Sequence, residues 1–253
     1  MTFIIAEAGV NHNGNFETAL KLCDAAKTSM ADAVKFQLFQ SAILWGGDRV
    51  KHLELSNKQI FDLAAYCKAI GIEFMCTPFS VASAVYLKPL VRRMKIGSGC
   101  IARFDLLEVV KDMPVILSTG MSTLNDIDRA LDILDGDDVI LLHCTSCYPC
   151  RLEDVNLKAM LTIKRYELPF GYSDHTSSIT VPIAAVALGA SVIEKHLTFD
   201  RSAEGPDHSS SITPREFKAM CLAIREVEAA LGDGVKRVMP CEEPLRRLWR
   251  ESD

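Results

Sequence analysis

Short apolar runs rich in Val, Ile, Leu and Phe alternate with amphipathic stretches along the whole chain, the pattern of a parallel sheet with helical crossovers. The runs predict strands at about 3–9, 33–39, 73–79, 93–98, 114–120, 138–146, 169–174 and 192–199. Between them apolar residues recur at i, i+3, i+4 and i+7, as in Ile60, Leu63, Ala64, Cys67 and Ile70, or Phe217, Met220, Cys221, Ile224 and Val227. Each such stretch presents one face to a wall of strands. The punctuation agrees: Ser56-Asn57 precede the second of these helices and Gly71 ends it, while Thr213-Pro214-Arg215-Glu216 opens the last and Gly232 closes it. Eight alternations favour closure into a (β/α)8 TIM barrel, an α/β fold. An open doubly wound sheet usually carries fewer strands, and its G-x-G-x-x-G phosphate fingerprint is missing. Spread over 253 residues the repeat is roughly 32 residues per unit, close to a bare barrel. The expected organisation is one barrel domain over 1–240 and a short tail over 241–253.

Composition narrows the class. With 49% hydrophobic and 24% charged residues the chain is expected to bury a large core and not to be disordered. A formal net charge of −5 argues against an electrostatic nucleic-acid binder, so an anionic ligand must be held by local lysines. The longest apolar stretch, Val181 to Ala190, is about half of the ~20 residues a spanning helix needs, and no membrane partner is expected. Met1-Thr2 lead straight into the strand-like Phe3-Ile4-Ile5-Ala6 without a basic leader segment. Nine cysteines, scattered through apolar positions, read as reduced thiols of a cytoplasmic protein.

Barrel enzymes carry their functional groups at the C-terminal ends of the strands, so polar residues that interrupt or end the apolar runs are the candidates. They are Glu7; Lys35 and Gln37; Thr77; Lys95 with Ser98; Ser118; Ser146 with Tyr148; Ser173 with His175; and Glu194 with His196. An unpaired charge in a barrel lumen costs several kcal/mol, so Glu7, Lys35, Lys95 and Glu194 need partners, either an anionic ligand or metal or one another in an internal salt-bridge network. Lys35 and Gln37 share a face by strand alternation. Lys95 and the turn Ile96-Gly97-Ser98-Gly99 bring an ammonium and backbone N–H groups toward one anion. With Ser98, Ser118 and Ser173 these lysines form a candidate phosphate-plus-carboxylate cradle.

His175 and His196 end neighbouring strands, within reach of one divalent ion, although two histidines alone also read as ordinary hydrogen-bonded residues. Asp207-His208, in the polar loop from Ser202 to Ser211, is either a solvated segment or one reaching over the barrel mouth. His12, in Asn11-His12-Asn13-Gly14, is either a loop residue or part of the rim. Cys144-Thr145-Ser146-Cys147-Tyr148-Pro149-Cys150 holds two overlapping C-x-x-C spacings, a conceivable thiolate site, but no second pair with zinc-like spacing stands nearby.

The ordered motifs resemble one family, the sialic acid synthases with their legionaminic and pseudaminic acid relatives. The matching segments are Ile5-Ala6-Glu7-Ala8-Gly9 with Asn11-His12-Asn13-Gly14, Val34-Lys35-Phe36-Gln37, Thr77-Pro78-Phe79, Lys95-Ile96-Gly97-Ser98-Gly99 and Leu117-Ser118-Thr119-Gly120-Met121-Ser122. Then come Tyr148-Pro149, Gly171-Tyr172-Ser173-Asp174-His175-Thr176, Glu194-Lys195-His196 and Gly205-Pro206-Asp207-His208. The resemblance implies condensation of phosphoenolpyruvate with an N-acetylated hexose, typically N-acetylmannosamine, to a nine-carbon 2-keto sugar acid and phosphate. It implies a divalent ion, Mn²⁺ or else Mg²⁺ or Co²⁺, with His175 and His196 as its ligands. Lys35, Thr77, Lys95, Ser98, Ser118 and Ser173 would hold enolpyruvate, and Gln37, Tyr148 and Asp207 the sugar. Glu7 would move protons, with Glu194 as the alternative base.

Against that family pattern, Ser146 stands where asparagine is usual, and the loop between Gln40 and Leu55 is short. The chain starts at the first strand and stops after Leu245-Arg246-Arg247-Leu248, where relatives continue into an antifreeze-like domain that lids the partner's site in a homodimer. The expectation is therefore a homodimer or a separate lid protein as partner. A Schiff-base lysine aldolase using Lys95 or Lys35, and a barrel subunit inactive without its lid, remain the competing readings.

Overall fold

A computed structural model of the protein describes residues 1–44, 47–136 and 138–250. Eight parallel strands form one sheet: β1 (Phe3–Gly9), β2 (Ala33–Leu38), β3 (Glu73–Pro78), β4 (Met94–Ile96), β5 (Val115–Ser118), β6 (Val139–His143), β7 (Phe170–Asp174) and β8 (Val192–His196). The order is β3-β2-β1-β8-β7-β6-β5-β4. The two end strands, β3 and β4, approach each other and bring the sheet close to a closed barrel.

The crossover helices are α1 (Phe16–Thr28), α3 (Asn57–Ile70), α4 (Val81–Leu87), α5 (Phe104–Val110), α6 (Leu124–Leu134), α7 (Ala159–Ile163), α8 (Thr180–Ala187) and α9 (Pro214–Leu231). A one-turn α2 (Ser41–Leu44) lies between β2 and α3, and α10 (Glu243–Arg250) follows α9. The single barrel expected from the alternation is therefore present. The tail, however, contains a helix, so α9 is not the last. No described helix is long and apolar enough to cross a membrane.

Local chemistry explains the boundaries. Ser56 and Gln59 close a reciprocal capping box on α3, and Gly71 ends that helix at φ 71°, a left-handed conformation that costs glycine nothing. Thr213 and Glu216 do the same at the start of α9, with Pro214 in the first turn. Several strands are shorter than their apolar runs. β6 stops at His143, because Cys144 to Ser146 leave the ladder for the loop that carries Tyr148.

Strand alternation divides the side chains into two populations. Outward residues such as Ile4, Val34, Phe36, Phe74, Leu117, Leu141 and Ile193 pack with the helices in the main core. Inward residues make a second, smaller layer of Ile5, Ala33, Met75, Ile116, Leu142 and Val192, with Phe3 and Ile140 against it. Below that layer Arg93 pairs with Glu73 at 2.9 Å and lies 4.5 Å over the Phe3 ring. Gly171 faces the same interior: a Cβ there would sit 2.1 Å from the Val192 carbonyl oxygen, so β7 and β8 approach closely only because the side chain is absent.

Candidate active site

Above the apolar layer the inward positions turn polar all around the barrel. Glu7 is in register with Lys35 of β2 and with His196 of β8, and Ser173 of β7 is in register with Glu194 of β8. The four charges meet. Lys35 Nζ lies 2.8 Å from Glu7 Oε2 and 3.5 Å from Glu194 Oε2, and Lys95 Nζ lies 3.7 Å from Glu194 Oε1. All four side chains are at most 6% exposed. The internal ion-pair network that the sequence left open as an alternative thus exists, and it forms the floor of a cavity instead of filling it.

Hydroxyls complete the network. Lys35 donates to Thr77 Oγ1 at 2.9 Å, Lys95 to Ser118 Oγ at 2.7 Å, and Ser173 to Glu194 Oε1 at 2.9 Å. Gln37 donates to the second oxygen of Glu7 at 3.2 Å. Ser98 follows β4 in a 3₁₀ turn, accepts from the Gly120 N–H at 3.1 Å and lies 3.1 Å from Cys144 Sγ. A Cβ on Gly120 would sit 2.4 Å from Ser146 Oγ and 2.8 Å from Ser98 Oγ, so glycine is what lets these hydroxyls converge. Ser146 Oγ is buried and has no hydrogen-bond partner of its own.

The cavity measures about 340 Å³ and is lined by every candidate taken from the sequence: Glu7, Lys35, Gln37, Thr77, Lys95, Ser98, Ser118, Ser146, Tyr148, Ser173, His175, Glu194, His196 and Asp207. Phe79, Gly97, Gly99 and Met121 line it too. These four were legible only as parts of motifs, because an apolar or glycine residue at a strand end carries no chemical signal of its own. His12 and His208 stay outside. The His12 ring nitrogen accepts from the Gly14 N–H at 3.0 Å, and the two His208 nitrogens bond Thr198 and Asn13. Both imidazoles hold loops together, whereas Asp207 reaches the mouth.

The two carboxylates differ in proton affinity. Burial, reinforced by Glu194, lifts Glu7 to about 7 against the pull of Lys35. Burial would lift Glu194 also, but it lies between Lys35 and Lys95, which hold it down to about 2. For Lys35 the two carboxylates outweigh burial and raise its pKa, whereas burial and the charge of Lys35 lower that of Lys95. One carboxyl is thus poised near neutrality while its neighbour stays ionised, the division of labour that acid–base chemistry requires.

His175 and His196 stand with ring centroids 5.6 Å apart, and the Tyr148 ring lies 4.2 Å from His175. His175 Nδ1 is 2.7 Å from the Thr145 carbonyl, which can only accept, so Nδ1 carries the proton and Nε2 keeps its lone pair. His196 Nδ1 is buried without a hydrogen-bond partner, 3.7 Å from Asp207 Oδ2. Burial lowers both imidazole pKa values, and for His196 the neighbouring His175 adds to the effect. Two neutral nitrogens, one of them unsatisfied, fit a divalent ion of the imidazole-binding kind. Among the described residues no three His, Cys, Asp or Glu side chains enclose a metal position, so such an ion would complete its shell with substrate and water. The C-x-x-C run adds no ligand set: all nine cysteines are free, Cys144 and Cys150 buried and Cys147 exposed.

Comparison with known proteins gives a consistent picture. The sequence profile described as the NeuB family matches residues 22–236. An N,N'-diacetyllegionaminic acid synthase of Legionella pneumophila is 44% identical over 99% of this chain and 79% of its own length. The human N-acetylneuraminate-9-phosphate synthase is 35% identical over 95% of this chain and 74% of its own. Among solved structures, an N-acetylneuraminic acid (sialic acid) synthetase from Leptospira borgpetersenii in complex with citrate superposes with a TM-score of 0.92. It is 37% identical and covers 100% of this chain and 93% of its own.

Proposed function

The chain belongs to the NeuB family, and we propose that it condenses phosphoenolpyruvate with the open-chain aldehyde of an N-acetylated hexose, giving a nine-carbon 2-keto sugar acid and phosphate. The observation that carries this reading is the pair of buried ammonium groups, Lys35 and Lys95, set among Thr77, Ser98, Ser118 and Ser173 at the floor of one cavity. A small polyanion bearing both a carboxylate and a phosphate needs such a floor: the ammonium charges offset the repulsion within it, and the hydroxyls fix its orientation.

Gln37, Tyr148 and Asp207 are assigned to the sugar, since they line the cavity beyond the lysines. His175 and His196 would hold a divalent ion, Mn²⁺ by family resemblance, which when bound supplies Lewis-acid polarisation of the aldehyde oxygen. The enol carbon attacks the aldehyde carbon, whose oxygen takes up a proton from solvent to become a hydroxyl, forming the new C–C bond and leaving cationic character at the enolpyruvate C2. Glu7 takes a proton from the water that adds there, and as the tetrahedral centre collapses to the ketone the C2–O bond breaks and the hydroxyl proton leaves with the phosphate. Glu7 is the base because its carboxyl titrates near neutrality, while Glu194 stays ionised to balance the lysines.

The test is to incubate the protein with phosphoenolpyruvate, Mn²⁺ and a panel containing N-acetylmannosamine, its 6-phosphate and diacetamido-trideoxyhexoses. Phosphate release together with a 2-keto acid is expected with at least one acceptor. No release with any of them overturns the reading. Borohydride with pyruvate addresses the lysine-imine alternative, in which a reduced adduct on Lys95 or Lys35 would appear.

A further inference from the structure

One fully buried ion pair takes no part in the chemistry above. Asp174 and Lys195 are in register on β7 and β8. Because Ser173 and Glu194 point into the cavity, alternation turns Asp174 and Lys195 to the outer face of the sheet. Lys195 Nζ lies 2.5 Å from Asp174 Oδ2, with neither side chain exposed, and it also donates to the Thr176 carbonyl. Asp174 is further held by the Tyr172 hydroxyl at 3.1 Å, the Thr176 N–H at 3.1 Å and the Thr176 hydroxyl at 3.0 Å.

The single ammonium therefore grips the residues on both sides of His175 from the adjacent strand, and Lys195 itself directly precedes His196. We propose that Lys195 is a positioning residue for the two imidazoles: from the far side of the sheet it sets the separation and orientation of His175 and His196. A buried ion pair is a poor stabiliser compared with apolar packing, so stability alone is a weak reason to place one here. Contacts that converge on the flanks of one histidine and the root of the other give it a reason. The inference rests on the reading that these histidines share a divalent ion.

The experiment uses the full chain as Lys195→Met, the charge-matched double variant Asp174→Asn/Lys195→Met, and Leu63→Ala as a destabilised control in α3. Two readouts are taken: Mn²⁺ affinity by electron paramagnetic resonance, and long-range ¹H–¹⁵N imidazole spectra without metal. In the double variant no charge is stranded, so the melting temperature recovers toward wild type. Mn²⁺ binding nevertheless stays about 10- to 100-fold weaker, and the His175 and His196 signals stay shifted while that of His12, remote from the pair, does not move. Leu63→Ala changes neither readout. Wild-type Mn²⁺ affinity and unshifted His175 and His196 signals in the double variant overturn the proposal. If Lys195→Met fails to fold, the double variant carries the test alone. If the wild type itself binds no Mn²⁺ at millimolar concentration, the metal reading falls and the imidazole spectra decide the positioning role.

Discussion

Replacing Glu7 by Gln is expected to make the protein more stable and less active, with a stability gain that depends on pH in a calculable way. In the folded chain the Glu7 carboxyl titrates near 7, against 4.5 for an unperturbed group, because burial and Glu194 together outweigh the attraction of Lys35. A raised pKa means that folding favours the protonated form. The contribution is complete below pH 4.5, where both states are protonated, and it is lost as pH rises to 7, at up to about 1.4 kcal/mol per pH unit. Above 7 the deficit is constant at about 3 kcal/mol. Gln cannot ionise and so mimics the protonated carboxyl at every pH. Urea unfolding of both proteins at intervals from pH 4.5 to 8.5 should show the variant's advantage widening through the slightly acidic range and levelling off above neutrality. Phosphate release should fall by about 10²- to 10⁴-fold, the usual contribution of a general base, and the wild-type rate should climb along a limb near pH 7 as the proton leaves. A wild type that gains on the variant as pH rises would refute the reasoning, since Lys35 would then outweigh burial and Glu7 would be an ordinary ion-pair partner.

Three further outcomes follow from the packing. Gly171→Ala should destabilise the barrel by ~3 kcal/mol or more, because a Cβ 2.1 Å from the Val192 carbonyl forces β7 away from β8; the urea midpoint measures this. Gly120→Ala should spare the melting temperature yet raise KM for phosphoenolpyruvate roughly tenfold or more, as its methyl displaces the Ser98 and Ser146 hydroxyls; a kcat loss at unchanged KM would place those hydroxyls elsewhere in the reaction. Cys147→Ser should leave rate and stability unchanged, its thiol being exposed and joined to no metal-ligating cluster; steady-state kinetics with and without a thiol oxidant check it.

Much of this arrangement is legible in the sequence. Short apolar runs broken by Glu7, Lys35, Lys95 and Glu194 locate both the strands and the mouth of the barrel, because four charges at inward positions must meet one another or a ligand. What the pattern conceals is which charge faces which way at a strand end. Lys195 and Asp174 sit one residue from His196 and His175 and look as polar as the cavity residues, yet they are buried on the opposite face. Nor does a sequence separate Glu7 from Glu194. Their proton affinities diverge because one carboxyl is flanked by two lysines and the other mainly by one, a matter of distances across the barrel. Strand ends are blurred for a related reason: Cys144 to Ser146 prolong the run of β6 after their backbone has left the ladder. The short segment after Gln40 includes residues 45 and 46, which lie outside the described residues.

The fully buried layer of Ile5, Met75, Ile116 and Leu142 beneath the charges makes the chamber a cul-de-sac. Everything enters and leaves by one doorway, so the reactant anchored deepest must arrive first. On the proposed reaction that is enolpyruvate, seated on Lys35 and Lys95 beneath the residues assigned to the sugar. The same geometry imposes the reverse order at the end of the cycle: phosphate is set free at the blind end, and its exit waits for the sugar acid to clear the way.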